Sequence, residues 1–337
     1  MTIEDRIKAF ERLGVFLGGF CEGKNKQNHE FERLIQTSSS YNAWFTPDSV
    51  KSSISAICKN LTLDKLSLWI SSYSLPVKQK KKVSIIMAGN IPLVGFNDFL
   101  CVLMSGHKAI IKLSSKDNRL MVAIIDELIT IESRFSDDIK LVEKVEDFDA
   151  VIATGSNESF KHFEYYFKGY PTLLRKSRTS VAILNGEESL EERKSLASDI
   201  FLYFGLGCRN VTKLYLPKDY NLDLLFEVFY DYKDVLLNNK YANNYDYFKA
   251  IYIMGSQSIL ENGFLIMKEE PSLNSPVAVL NYEFYENTET LLTQLNTYKE
   301  DIQCIVGKGH TPFGKAQQPR LEDFADGVDT LRFLETI

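Results

Sequence analysis

The sequence is poor in cysteine and lacks long apolar runs. Its five cysteines are scattered over 337 residues without a C-x-x-C pair, which argues against a disulfide framework or a zinc site and favours a reducing compartment. No apolar stretch approaches the roughly 18 residues of a membrane-spanning helix. The N-terminus has acidic residues and the apolar spacing of an amphipathic helix, not the pattern of a signal peptide. We therefore expect a cytoplasmic protein with neither a membrane span nor a metal site.

An excess of basic charge is absent as well. The 39 basic residues are outnumbered by 45 acidic ones, which gives a formal net charge of -6. Bulk electrostatics therefore give no reason to expect nucleic acid as a partner. The hydrophobic fraction of 45% and the charged fraction of 25% are typical of a globular protein. The chain is longer than the about 250 to 300 residues that one hydrophobic core usually serves, so two domains are expected.

Short apolar runs alternate with helical stretches after the first eighty residues, which themselves have a helical pattern. The predicted strands of this first block are VSIIMAG, KAIIKLS, KLVE and AVIATGS, and the helices between them are NDFLCVLMSG and NRLMVAIIDELITI. Such alternation is typical of a parallel, doubly wound sheet. A second block repeats it with the strand VAILN, the helix SLEERKSLASDIFLYFG and the strand VTKLYLP.

Polar and small residues follow three of these strands, at the edge where open α/β sheets bind ligands. The candidates for ribose hydroxyls or phosphate are Asn90, Lys112, Ser114, Ser115, Gly155 and Ser156. A strand-to-helix turn of small residues, such as the last two form, points backbone N–H groups at an anion. Neither G-x-G-x-x-G nor G-x-x-x-x-G-K-[ST] occurs in the chain. Exposed polar loops and a turn-forming asparagine remain the alternative interpretation.

Cys208 is the candidate nucleophile. It closes the segment YFGLGCRN, where two glycines allow a ligand close to the backbone and Arg209 adds a positive charge that favours the thiolate. The other four cysteines lie in apolar surroundings and fit the pattern of small buried residues. The four histidines are isolated from one another and from Cys208 in sequence, and we interpret them as structural.

Four motifs, in this order over residues 83–280, resemble those of the aldehyde dehydrogenase superfamily. They are MAGNIPLVGFND with the following Lys-x-Ser strand end, then ATGS, the Gly-x-Cys turn and KEEPSLNSPVAVL. Within that superfamily, MAGNIPLVGFND, YFGLGCRNVTKLYLP and FADGVDTLRFL most resemble the LuxC-type long-chain acyl-CoA reductases. The resemblance implies an α/β fold with two doubly wound domains and a helical N-terminal lead-in.

The resemblance also implies roles for single residues. Cys208 would be the nucleophile, and the Asn90 side chain with the Cys208 backbone N–H would form the oxyanion hole. Lys112 would contact the adenosine ribose, Ser156 would lie near the pyrophosphate, and Glu270 would contact the nicotinamide ribose. The implied reaction is the NAD(P)H-dependent reduction of an acyl-CoA, or another acyl thioester, to the aldehyde through an acyl-Cys208 intermediate.

Two departures from the superfamily pattern refine this expectation. The segment RKSRTSVAIL has no carboxylate where oxidising members carry the glutamate that activates the hydrolytic water, and this favours reduction. Ser115 stands where NAD-specific members carry a glutamate that grips the ribose diol. A neutral serine beside Lys116 leaves room for a 2′-phosphate, so NADPH is favoured as the cofactor and NADH is the alternative.

These interpretations predict four segments. Residues 1–82 form a helical segment packed on the cofactor domain, 83–175 the dinucleotide-binding domain, 176–306 the catalytic domain, and 307–337 a C-terminal docking segment. Three alternative functions remain: an aldehyde dehydrogenase in the oxidative direction, a cysteine acyltransferase or thioesterase without cofactor, and a non-catalytic acyl-binding subunit. The sequence leaves the acyl chain length and the donor open and allows a homo-oligomer.

Overall fold

The chain folds into two compact units, and a computed structural model describes residues 1–21 and 29–337 of it. The first unit comprises Met1–Ser177 together with Arg320–Ile337, and the second comprises Arg178–Pro319. Each unit has its own sheet.

The first unit begins with four helices: α1 (Ile3–Cys21), α2 (His29–Gln36), α3 (Pro47–Cys58) and α4 (Leu63–Ile70). Their apolar faces enter one hydrophobic core with the sheet that follows. In α1 the residues Phe10, Leu13 and Leu17 recur at helical spacing, and each is fully buried. Three- and four-residue spacing thus buries one face of α1, and the predicted helical lead-in is confirmed.

A five-stranded parallel sheet follows. Its elements in chain order are β1 (Lys82–Ile86), α5 (Phe96–Ser105), β2 (Lys108–Lys112), α6 (Arg119–Ile131), β3 (Ile139–Leu141), β4 (Ala150–Thr154), α7 (Asn157–Tyr166) and β5 (Thr172–Arg175). The strand order is β3-β2-β1-β4-β5. The chain moves outward from β1 to β3 and then returns to the other side of β1. The strand order therefore reverses between β1 and β4, where ligands of such sheets usually bind.

The second unit contains a six-stranded sheet in the order β11-β6-β7-β10-β9-β8. Its elements are β6 (Thr179–Ile183), α8 (Leu190–Phe201), β7 (Val211–Pro217), α9 (Asp223–Phe229), α10 (Asn239–Met254), β8 (Leu260–Glu261), β9 (Ile266–Glu269), β10 (Val279–Tyr285), α11 (Thr288–Thr297) and β11 (Ile302–Gly307). All pairs are parallel except β8 with β9. Alternate residues of β6 enter two different cores, one with α8 and α9 and one with α11. Both faces of the sheet are therefore covered.

The C-terminal segment of the first unit ends in α12 (Thr330–Glu335), which packs on α5. Short 3-10 helices complete the elements at Ser38–Ser40, Ser133–Asp137, Leu202–Gly205, Tyr230–Leu237 and Ala325–Gly327. Among residues 1–21 and 29–337, no helix is both long and apolar enough to cross a membrane. The predicted α/β class with parallel sheets is confirmed, and the dinucleotide-binding and catalytic roles of the two domains stay predictions.

Candidate active site

Three loops lie at one edge of the first unit's sheet, the edge formed by the carboxyl ends of its strands. They follow the strands β1, β2 and β4. Of the predicted residues, Asn90 follows β1, Lys112 ends β2 and Ser156 follows β4. Because these strands are parallel and adjacent, their carboxyl ends lie along one edge. The fold therefore places the polar residues predicted for this unit along a single edge of the sheet. The loops after β1 and β4 flank the point where the strand order reverses.

The loop after β1 presents Asn90 at the surface, and close packing fixes its neighbours. A Cβ atom built on Gly89 would lie 2.6 Å from the Ser114 Oγ, so only glycine allows the two loops to approach this closely. Leu93 has φ of 59°, a left-handed conformation that leucine rarely adopts. The carboxylate of Asp117 accepts a 2.7 Å hydrogen bond from the Leu93 N–H. Asn90 thus projects from a turn with little freedom.

Lys112, Ser114 and Ser115 line one cleft of about 390 Å³ at the carboxyl ends of β2 and β3. Asn118 and Glu143 also line it. The cleft therefore offers an ammonium group, two hydroxyls, an amide and a carboxylate, which is a donor and acceptor set that suits a ribose. This chemistry fits the adenosine ribose of a dinucleotide. The three predicted residues therefore belong to one candidate binding site.

Gly155 and Ser156 form the turn between β4 and α7, one strand away from β1. The Ser156 hydroxyl caps α7 by accepting a hydrogen bond from the Ser159 N–H at 3.3 Å. A Cβ on Gly155 would lie 2.8 Å from the Ser159 Cβ and 2.9 Å from the Phe163 ring. Glycine therefore lets the helix start close to the sheet, with its N-terminal N–H groups at the ligand-binding edge.

Two larger cavities lie elsewhere and do not include the predicted residues. One of about 650 Å³ lies between α1, α2 and α6, and one of about 540 Å³ is lined by residues of α8 and of the loop after β11. Volume alone would favour them. We base the assignment instead on the sheet edge, because chemically suitable groups converge there.

In the second unit, Cys208 is exposed and follows an unusual turn. Tyr203, Phe204 and Gly205 are all left-handed, with φ of 55°, 57° and 76°. Two consecutive non-glycine residues in this conformation cost roughly 1 to 2 kcal/mol each, and such strain is often concentrated at functional sites. The turn reverses the chain between α8 and β7 and exposes the thiol at its end.

Asn210 and Ser180 hold this turn. The Asn210 side chain is fully buried, accepts a 2.8 Å hydrogen bond from the Gly207 N–H, and donates to the carbonyls of Leu202, Asp199 and Ile200 at the end of α8. The Ser180 hydroxyl lies 2.9 Å from the Cys208 carbonyl and 3.1 Å from the Cys304 Sγ. Arg209 directs one guanidinium nitrogen to the Ala316 carbonyl at 3.3 Å.

Glu270, also in the second unit, follows β9 and is engaged by two lysines. Its carboxylate lies 2.5 Å from the Lys268 ammonium group, and this hydrogen bond is the main reason that the pKa of Glu270 is lowered. Its backbone carbonyl accepts a hydrogen bond from Lys213, a fully buried residue of β7 that also pairs with Glu283 at 3.0 Å. Burial lowers the pKa of Lys213, and the Glu283 carboxylate opposes that shift.

Sequence reasoning missed three residues that shape these loops: Asp117, Ser180 and Asn210. Asp117 and Asn210 stand in segments singled out for other residues, and Ser180 stands in the segment noted for its missing carboxylate. The sequence carries only a weak signal for them, because the residue type of a polar side chain does not reveal whether it is buried or exposed. Burial distinguishes all three, and Asp117 and Ser180 also bond to residues 24 and 28 positions away in the chain.

Comparison with known proteins assigns the family. Residues 23–227, more than half of the chain, match the family model described as Acyl-CoA reductase (LuxC). The chain belongs to the acyl-CoA reductase (LuxC) family. The family predicted from the four sequence motifs is therefore confirmed.

Two curated relatives of this acyl-CoA reductase family member are longer proteins. The long-chain acyl-protein thioester reductase of Aliivibrio fischeri is 25% identical over an alignment of 226 residues, and the match covers 62% of this chain and 44% of that protein. Long-chain acyl-protein thioester reductase 2 of Photobacterium leiognathi is 24% identical over an alignment of 224 residues, and the match covers 60% of this chain and 46% of that protein. The match thus spans less than half the length of either relative.

Solved aldehyde dehydrogenases share the fold. Aldehyde dehydrogenase 21 from Physcomitrella patens has a TM-score of 0.63 at 13% identity, covering 91% of this chain and 74% of the other. A putative aldehyde dehydrogenase from Burkholderia cenocepacia has a TM-score of 0.64 at 12% identity, covering 92% and 76%. The predicted aldehyde dehydrogenase-like fold of the LuxC family member is confirmed.

Proposed function

We propose that this chain reduces an acyl thioester to the aldehyde through a covalent intermediate on Cys208. The Cys208 thiolate attacks the acyl carbonyl, the C–S bond of the donor breaks, and the donor thiol leaves with a proton. A hydride and a proton then convert the acyl-Cys208 thioester to a thiohemiacetal. Its collapse releases the aldehyde and returns the Cys208 thiol, so that each turnover consumes two electrons.

The observation that carries the proposal is the Cys208 turn. The thiol is exposed, its carbonyl is bound by Ser180, and the glycine before it is bound by Asn210. Nucleophilic catalysis requires a reachable thiol in a fixed position. A buried structural cysteine, such as Cys101, requires neither, because its role is packing.

Asn90 is proposed as the side-chain donor to the oxyanion that forms when the acyl carbonyl is attacked. Such a donor is worth about 2.7 to 4 kcal/mol of transition-state stabilisation when it is preorganised. The constrained loop after β1 supports this role. We expect Asn90→Ala to lower kcat by roughly 100- to 1000-fold while the protein stays folded, because Asn90 is exposed.

A nicotinamide dinucleotide would supply the hydride when bound. The family membership, the sheet edge and the cleft of Lys112, Ser114 and Ser115 support this cofactor, and the Bacillus cereus neighbour was solved with NAD+. Ser115 favours NADPH, as the sequence suggested. Glu143 in the same cleft favours NADH instead, because a carboxylate accepts from a ribose diol and repels a 2′-phosphate. Gly155 and Ser156 are proposed to lie near the pyrophosphate and Glu270 near the nicotinamide ribose.

The acyl donor is proposed from the names of the relatives and of the family. The family is named for acyl-CoA, and the two curated relatives are named for acyl-protein thioesters. Both donors present the same carbonyl and sulfur to a thiolate. We therefore propose an acyl thioester as the substrate class, with acyl-CoA as the donor to test first.

The oxidative direction is disfavoured by the segment that begins at Arg175. An oxidising enzyme needs a base for its hydrolytic water, and residues 175–184 contain no carboxylate. The Arg175 guanidinium is instead buried against Asp98 at 2.7 Å. Formation of carboxylate from aldehyde and NAD(P)+ would decide for oxidation. Acyl-CoA cleavage without nicotinamide would decide for an acyltransferase or thioesterase.

The decisive experiment follows nicotinamide absorbance with long-chain acyl-CoA and either NADPH or NADH. Cofactor consumption and aldehyde should appear only when both substrates are present, and Cys208→Ala should abolish both while retaining cofactor binding. Cys21→Ala is the matched control, because Cys21 is also exposed but lies on α1. Aldehyde production by Cys208→Ala would reject the mechanism. Absence of turnover in the wild-type protein, with cofactor bound, would favour a non-catalytic acyl-binding subunit.

Three further parts of the proposal concern the whole protein. We propose a cytoplasmic location, because a reducing compartment suits a thiol nucleophile. We assign the dinucleotide to residues 83–175 and the nucleophile to residues 176–306. A homo-oligomer stays a prediction.

A further inference from the structure

We propose that Asp117 is a positioning residue for the oxyanion-binding turn, residues 87–95, and holds Asn90 in place by accepting the Leu93 N–H. This inference rests on the proposed function, in which Asn90 stabilises the oxyanion. Asp117 lies after β2, near the residues assigned to the cofactor, and not on the turn itself. Its role is to act through Asn90, without contacting the substrate.

The geometry of the bond carries the inference. Asp117 is 2% exposed, and its Oδ2 lies 2.7 Å from the Leu93 nitrogen. A carboxylate accepts more strongly than a neutral oxygen does, and a buried bond of this kind is little weakened by water. The donor belongs to the left-handed Leu93. Without the acceptor, this residue can relax toward a commoner conformation, and the turn three residues beyond Asn90 changes shape.

The burial of Asp117 is also unfavourable for stability, which a residue that only fixed a loop would not require. Its Oδ1 is buried and has no hydrogen-bond partner among residues 1–21 and 29–337. Burial raises the pKa of Asp117 to about 6, against the opposing effect of the Leu93 N–H. Buried polar groups that lower the stability of the fold in this way are typical of functional sites.

The remaining contacts of the turn show where Asp117 matters. The Met87 N–H donates to the Lys112 carbonyl at 3.0 Å, which fixes the start of the turn to β2. The Ser53 hydroxyl of α3 donates to the Pro92 carbonyl at 2.8 Å. The Asp117 bond is one residue further along. Residues 88–91 therefore lie between the anchor at Met87 and the two adjacent anchors at Pro92 and Leu93. Removal of the Leu93 anchor should loosen Asn90 without unfolding the sheet.

The test is a double-mutant cycle in the full chain with long-chain acyl-CoA and the preferred nicotinamide cofactor. Asp117→Ala removes the acceptor and should lower kcat by about tenfold or more, because displacements of about 1 Å cost up to roughly 100-fold. The KM for the cofactor should change less than about threefold, since Asp117 acts on the turn. Asp117→Asn keeps an acceptor oxygen and should restore most of the lost rate.

Coupling to Asn90 separates positioning from a general structural role. In the Asn90→Ala background, Asp117→Ala should slow the enzyme less than about twofold further, because the donor it positions is already gone. Independent, multiplicative losses would overturn the inference. So would a wild-type rate in Asp117→Ala. Asp126→Ala, an exposed carboxylate of α6, is the matched control and should keep the wild-type rate.

A readout without turnover distinguishes failure of this inference from failure of the proposed function. Hydrogen exchange of peptides spanning residues 87–95 should accelerate in Asp117→Ala and stay unchanged in Asp126→Ala. Unchanged exchange in Asp117→Ala would overturn the inference whatever the activity. Accelerated exchange together with a normal rate in Asn90→Ala would reject the oxyanion role of Asn90, and with it the functional part of the inference.

Discussion

At the scale of single residues, Asn210 binds both sides of the turn that precedes the candidate nucleophile. Its side chain makes one hydrogen bond to Gly207 and three to the end of α8. These bonds hold the left-handed residues before Cys208 in place. The strain of the turn is therefore balanced by one buried amide group, and the position of the thiol depends on it.

Asn210→Ala should lower the free energy of unfolding, since it leaves the Gly207 N–H and three helix-end carbonyls without this partner. We expect a loss of at least about 1 to 3 kcal/mol, measured by urea denaturation. Asn243→Ala, which removes an exposed amide on α10, should change stability by less than about 0.5 kcal/mol. Equal stabilities for the two variants would contradict the assigned role of Asn210.

The buried carboxylate of Asp117 predicts a pH dependence. Burial raises its pKa from 3.8 to about 6, so the native state binds the proton more tightly than the unfolded state does. Stability is therefore highest below the unfolded pKa and falls as pH rises from about 4 to 6. Over this window the unfolding free energy of the wild-type protein should fall by roughly 3 kcal/mol relative to that of Asp117→Asn, which lacks the titrating carboxyl group. A pH-independent difference would contradict the raised pKa.

The sequence pointed to Cys208 and Asn90 because glycines and a strand end mark their loops locally. It did not point to Asp117 or Ser180 for a physical reason. Their partners, Leu93 and Cys208, are 24 and 28 residues away, and no local pattern encodes a contact across that distance. The roles of Cys208 and Asn90 themselves stay predictions until they are tested by the variants described above.

At the scale of elements, Arg175 joins three parts of the first unit. Its guanidinium, at the end of β5, lies 2.7 Å from Asp98 of α5, 2.8 Å from the Thr330 hydroxyl of α12 and 2.9 Å from the Ala325 carbonyl. The segment FADGVDTLRFL thus supplies hydrogen-bond acceptors to a buried arginine, in addition to its family resemblance.

Arg175→Met should destabilise the protein by about 3 to 5 kcal/mol, because it leaves Asp98 buried without its charge partner. Thermal or urea unfolding would measure the loss. Arg134→Met is the control, since Arg134 is half exposed and its ion pairs with Asp5 and Glu132 are screened by solvent and should add little to stability. If Asp98→Leu does not recover stability in the Arg175→Met background, the buried pair is not the cause.

Elements with strong local periodicity were predicted and those without it were missed. The strands β1, β2, β4 and β6 and the helices α5 and α6 carry continuous apolar patterns, and they lie where the sequence predicted them. The helix α8 was predicted to continue to Gly205 but ends at Phe201, where the left-handed turn before Cys208 follows. Strand β5 was overlooked because its four residues, TLLR, end in a buried arginine. The edge strand β8 has only two residues, both exposed. Such elements are specified by their neighbours in the sheet more than by their own residues.

At the scale of the whole molecule, the chain leaves its first unit at Ser177 and returns to it at Arg320. The returning segment contributes Leu321, Leu331 and Leu334 to the first unit's core. The buried His107 ring also contacts the Leu334 carbonyl at 2.9 Å. A core divided in this way cannot be recognised from local sequence, because the second unit separates its two parts along the chain.

This division predicts that residues 1–177 alone do not form a stable unit. Without residues 320–337, α5 exposes the surface that α12 covers, and Arg175 loses its Thr330 and Ala325 partners. We expect the isolated fragment to unfold without a cooperative thermal transition. Attaching residues 320–337 through a flexible Gly/Ser linker should restore cooperativity, whereas the same linker with Leu331→Asp and Leu334→Asp should not, because both leucines are buried. Cooperative unfolding of the fragment alone would show that the C-terminal segment merely covers a core that is already complete.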